Sequence, residues 1–176
     1  MSERYPPLQR GLHWCMALTL PVQGLLGGLA ERVDDPALGR ALIAAHLQLG
    51  LLLLLLIALR IGVRVRQPPP ALLTPDPLWQ RRMAASVHAA LYLLLVLLPL
   101  SGLLLWVWMR TPLDILGLLQ IPALMSVRPT DETTLVIAWY LHVWGAWGLL
   151  GLLSLHVGAA LWHQGILRDR RISRRM

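Results

Sequence analysis

Two histidines in one long apolar run, His142 and His156, lie fourteen residues apart with no formal charge between them. In an α-helix, fourteen positions bring a side chain back to within ~40° of its starting direction, ~21 Å along the axis. One helix face therefore presents two nitrogen ligands at two depths of a hydrocarbon slab about 30 Å thick. Two metal centres stacked across a membrane require such an arrangement, and few structural roles do.

The sequence holds four further histidines, His13, His46, His88 and His163. Ionisable groups inside apolar runs are costly and mark candidate functional sites. A single membrane histidine reads equally well as an interhelical hydrogen bond, but the depths of this set form pairs. His142 lies about seven residues below the outer start of its run and His46 about six below the outer start of its own, so the two are level. His156 needs a partner near the opposite surface, where His13 and His88 are both available. Depth mildly favours His88, six residues from Arg82, over His13, three from Arg10. Spacing leaves that choice open.

Paired neutral imidazoles suit haem iron, with both axial positions filled. Zinc or copper would call for additional thiolate, carboxylate or histidine ligands, which these runs lack. Gly50 follows His46 by one turn, and Gly145 and Ala160 follow His142 and His156 in the same way, leaving room for a flat macrocycle edge. The sole cysteine, Cys15, excludes an intrachain disulfide and reads as helix packing. No C-x-x-C-H motif is present, so a haem would be held non-covalently.

The elements that must position these residues are membrane spans. The chain has 176 residues, 56% hydrophobic and only 14% charged, with mean hydropathy +0.59. Runs at about 12–30, 41–63, 84–109 and 135–162 each meet the ~20-residue spanning criterion and predict a single all-α, four-helix transmembrane domain over 1–176. His13 and Gln23 interrupt the first run, and no small-residue cleavage site follows it, so it reads as a span rather than a secretory signal. Pro21 and Pro99 should bend their helices, and Trp106 and Trp108 should mark an outer interface. Pro68 to Pro77 predicts a polyproline-like connection. The apolar stretch 113–124 is expected to lie on the membrane or fold over the bundle.

All sixteen basic residues are arginines, and they alternate by loop. Twelve flank the chain ends and the middle connection, and only Arg32, Arg40, Arg110 and Arg128 lie in the other two connections. The positive-inside rule places both termini and the middle loop in the cytoplasm. A sequence pI near 11.2 could suggest nucleic acid, but topology and anionic lipid headgroups account for the arginines more simply. Arg60 lies fourteen residues after His46, on the same face and ~21 Å nearer the cytoplasm.

These features together resemble the bacterial cytochrome b561 family, a group that also includes cytochrome b subunits of hydrogenases and formate dehydrogenases. The resemblance is carried by Leu12-His13-Trp14, Ala45-His46, Arg60 and the prolines Pro68 to Pro70, then by His88 with Tyr92 and Pro99, and by His142, His156 and His163. No one motif is strong, but the ordered set is specific and covers nearly the whole chain. The resemblance implies two b haems, with His46 and His142 as axial ligands of the outer one and His13 and His156 of the inner. It further implies ubiquinone near His88, His163 and Tyr92, and Arg60 as a counter-charge to a haem propionate.

The expected function is electron transfer in the bacterial inner membrane, from a periplasmic donor through two haems to ubiquinone. Superoxide is the donor the resemblance implies, which would make the protein a superoxide:ubiquinone oxidoreductase. The outer segments do not help anion capture, because four arginines face six carboxylates there. One alternative is an electron-transfer subunit serving a periplasmic dehydrogenase. The other is a non-redox bundle in which the histidines only bridge helices.

Overall fold

The computed structural model describes residues 5–67, 77–115, 117–124 and 132–166. The proline run Pro68 to Pro70, Asp131, Arg128 and the arginine tail from Arg168 lie outside these residues. Four helices account for most of the described chain: α1 Pro7–Ala30, α2 Pro36–Arg66, α3 Leu78–Met109 and α4 Thr133–Gly165. All four are long and apolar enough to cross a membrane. At ~1.5 Å per residue their 24 to 33 residues run about 36–50 Å, longer than the hydrocarbon slab.

That excess explains why every helix is longer than its apolar run. Hydropathy marks what lies in lipid, whereas the helix continues until local chemistry stops it. Pro7 and Pro36 occupy first-turn positions, where a missing N–H costs nothing. The Asp35 carboxylate caps α2 by accepting from the Ala37 N–H at 2.9 Å. Arg110 ends α3 in the left-handed region, at φ 53°. Pro21 and Pro99 lie within helices that continue past them.

Packing divides the bundle into two halves. Leu12 and Met16 of α1 bury themselves against Leu53, Leu56 and Ile57 of α2. Leu91 and Leu98 of α3 do the same with Leu149 of α4. Leu20 and Leu95 touch both clusters and join the halves, α2 packs along α3, and α1 and α4 hardly approach one another. Large apolar side chains such as Leu18, Leu25 and Trp144 are exposed along the outside of the helices, as hydrocarbon solvent permits and water would not.

Between α3 and α4 the chain departs from the all-helical expectation. Strands β1 Leu113–Ile115 and β2 Leu119–Ile121 pair antiparallel, around Gly117 at φ +69°. Leu113 is buried, and the Gln48 side chain donates to the Asp114 carbonyl, so the β-hairpin folds back onto α2. Trp106 is also buried beneath this turn, its Nε1–H donating to the Thr111 carbonyl at 3.0 Å. It is therefore held against its own chain near the outer end of α3. Cys15, by contrast, is exposed.

Candidate functional site

The two histidine levels are present, each built by facing helices. At the β-hairpin end, His46 of α2 meets His142 of α4, with ring centroids 5.9 Å apart and planes inclined at 75°. Each ring is held by its Nδ1. That of His46 lies 3.0 Å from the Gln23 carbonyl oxygen on α1. That of His142 lies 3.0 Å from the Leu98 carbonyl oxygen on α3. A carbonyl only accepts, so both Nδ1 atoms carry the proton and both Nε2 atoms keep a lone pair. Metal-bound histidines are oriented in this way, through the nitrogen that does not bind the metal.

Two polar side chains complete this level. Ser101 is 1% exposed; its hydroxyl donates to the Leu98 carbonyl at 2.9 Å, and its Oγ lies 3.0 Å from His142 Nδ1. Gln23 Nε2 donates to the His46 carbonyl at 3.0 Å and lies 3.3 Å from His46 Nε2. Its Oε1 is buried without a partner among the described residues. Beside the rings is a cavity of about 30 Å³, room for little more than a water and far below the roughly 300–1,000 Å³ of ligand pockets. Gln23, His46, Gly50, Pro99, Gly102 and His142 contribute to its wall, so all four helices reach it.

At the terminal end three histidines converge instead of two. His156 of α4 faces His13 of α1 at 6.3 Å between centroids and His88 of α3 at 5.4 Å. None of these rings makes a hydrogen bond to a described residue. His13 and His156 are half-buried, whereas His88 is exposed. Beside them, Arg60 donates from Nε to the Tyr92 hydroxyl at 3.1 Å and from Nη1 to the Gln9 carbonyl at 3.3 Å. The Arg64 guanidinium lies over the Tyr92 ring at 5.8 Å. Gln9 in turn donates from Nε2 to the Gln67 carbonyl at 2.7 Å, tying the start of α1 to the end of α2. His163, two turns beyond His156 on α4, makes no ring contact with the trio.

The expected ligands are thus brought together at both levels, and Arg60 and Tyr92 touch one another beside the second. A Cβ at Gly145 would lie 3.0 Å from Leu98 Cδ2, so the missing side chain there permits close packing of α3 on α4. Gly50 does line the cavity. The roles of Ser101 and of the Gln23 and Leu98 carbonyls escaped sequence reasoning. Gln23 and Ser101 are polar breaks in apolar runs, a signal that marks a residue but not its partner.

The donor set fits a haem better than a bare ion. Opposed imidazoles are the donor set that haem iron takes, and no group of three or more His, Cys, Asp or Glu that could close around an ion occurs among the described residues.

Comparison with known proteins agrees with this chemistry. The sequence profile described as prokaryotic cytochrome b561 matches residues 4–176. The chain is 28% identical to cytochrome b561 homolog 1 of Escherichia coli (strain K12), over 99% of this chain and 97% of that protein. It is similarly 28% identical to a cytochrome b562 of Cereibacter sphaeroides, covering 98% of this chain and 94% of the relative. The probable superoxide oxidase CybB of Yersinia pestis is 27% identical, over 100% and 97% of the two chains. Four spanning helices, opposed histidines and a match along the whole length lead to one conclusion: the chain belongs to the prokaryotic cytochrome b561 family of multi-pass membrane electron-transfer proteins, which bind haem b.

Proposed function

We propose that the protein is a di-haem b cytochrome that passes electrons from superoxide, on the periplasmic side of the bacterial inner membrane, to ubiquinone on the cytoplasmic side. The observation that carries this reading is the pairing of imidazoles at two depths, His46 with His142 and His13 with His156. These pairs would hold an outer and an inner haem. Two imidazoles opposed across one metal, at about 2.0–2.1 Å each, put their ring centroids roughly 6 Å apart. The separations of 5.9 and 6.3 Å support the two pairs, whereas 5.4 Å for His88 with His156 is short for that role.

His88, exposed and beside the inner pair, is then available with His163 and Tyr92 to bind ubiquinone and to supply protons at its carbonyl oxygens. Arg60 is the counter-charge for an inner propionate, held in place by Tyr92 and the Gln9 carbonyl. When bound, haem b supplies a one-electron couple at each depth. The chain's own contribution is ligation, exclusion of water by the apolar spans, and proton donation at the inner surface. Both termini lie in the cytoplasm, as the arginine distribution favours.

The choice of superoxide is supported by the printed name of the Yersinia relative. Stopped-flow reduction of the oxidised, quinone-loaded protein by a superoxide pulse tests it. Rapid reduction, with electrons recovered as quinol, is expected. Because carboxylates outnumber arginines on the outer segments, added salt should raise the bimolecular rate by screening repulsion of the anion. Slow reduction that bound quinone does not affect would refute the superoxide reading. The same acidic outer surface would suit a basic periplasmic redox protein, and a subunit receiving electrons from such a dehydrogenase partner is the second reading.

A further inference from the structure

His46 and His142 are held by one device, built twice. Each ring donates its Nδ1–H to a carbonyl of the neighbouring helix, and each lies against the glycine four residues beyond that carbonyl. On α1 the carbonyl is Gln23 and the glycine Gly27; on α3 they are Leu98 and Gly102. A Cβ at Gly27 would stand 2.9 Å from His46 Cε1 and 3.0 Å from its Nδ1. A Cβ at Gly102 would stand 3.1 Å from His142 Cε1 and 3.5 Å from its Nδ1. The obstructed group is in both cases an imidazole anchored by its own hydrogen bond, not the free end of a flexible chain. It could yield only by tilting away from the carbonyl that holds it.

We propose that Gly27 and Gly102 are positioning residues for the outer axial imidazoles. The missing side chain lets each ring lie against the adjacent helix and fixes its tilt, and hence the 75° between the two planes. This rests on His46 and His142 being the outer haem's ligands. The other glycines set the contrast: at Gly24, Gly62 and Gly151 an added Cβ meets nothing within 4 Å. Gly24 lies on α1 within one turn of Gly27 and is the matched control.

The test uses the full-length protein purified with its haems, as Gly27→Ala, Gly102→Ala, Gly24→Ala, His46→Ala and His142→Ala. Haem content, the low-spin ferric EPR spectrum and a redox titration are recorded for each. Steeply inclined imidazole planes give a strongly axial low-spin signal, and tilting either ring changes it. The Gly27 and Gly102 variants are expected to alter the outer signal and potential and to weaken retention of that haem by about 10–100-fold. The inner haem should be unchanged, which reports that the bundle has folded, and Gly24→Ala should match the parent. A parental outer signal and potential in both glycine variants overturns the proposal. Loss of both haems together, with Gly24→Ala intact, also overturns it, because the effect is then not local to a ring. If His46→Ala and His142→Ala keep the outer haem, the ligand assignment itself fails, whatever the glycines show.

Discussion

Replacing Ser101 with alanine separates two supports of one ligand. Ser101 is 1% exposed and contributes one hydroxyl, which donates to the Leu98 carbonyl and lies 3.0 Å from His142 Nδ1. Removing it leaves no buried group orphaned. The Leu98 carbonyl keeps the His142 Nδ1–H at 3.0 Å, and the methyl that remains fills most of the space. The cost should therefore be a net hydrogen bond, about 0.5–1.5 kcal/mol, without the larger penalty of an unsatisfied partner. Expressed as affinity, that is roughly a 2- to 13-fold weaker hold on the outer haem. Competition for haem by an apo-haemoprotein acceptor, followed at the outer haem's absorbance, measures it directly. Complete loss of the outer haem in Ser101→Ala would show that the carbonyl alone does not orient His142. An unchanged release rate and potential would show that the hydroxyl contributes nothing.

Three further outcomes follow from the same contacts. His13→Ala should remove the inner haem, whereas His88→Ala should retain it and slow quinone reduction; difference spectra and quinol assays distinguish these, and the opposite pattern would make His88 the ligand. Arg60→Leu removes a cation beside the inner pair, and a nearby cation favours the electron-rich form, so the inner haem's reduction potential should fall while the outer one stays put in a redox titration. Gly145→Ala should lower the thermal unfolding midpoint, because its Cβ would meet Leu98 Cδ2 at 3.0 Å. Overpacking costs typically 1–3 kcal/mol, and about 1 kcal/mol is expected here because a leucine methyl can give way.

The four spans and the level pairing of His46 with His142 were legible from hydropathy and helical periodicity. Both are properties of a regular helix in a slab, so counting residues suffices. The inner partner was not legible, because His13 and His88 lie on different helices and their nearness to His156 depends on how α1 and α3 are placed. Depth favoured His88, which does approach His156 more closely, at 5.4 Å. The proposed assignment to His13 rests on ring separation instead, on which periodicity carries no information. The β-hairpin shows another limit, because three-residue strands leave no periodic trace.

The two-part core bears on how such a protein is assembled. His46 on α2 takes its orienting carbonyl from α1, and His142 on α4 takes its own from α3. Each of these two rings is thus oriented within its own pair of consecutive helices. Opposing ligands come from different pairs: α2 faces α4 at one level, and α1 faces α4 at the other. Under the proposed ligation each haem would therefore join the α1–α2 pair to the α3–α4 pair.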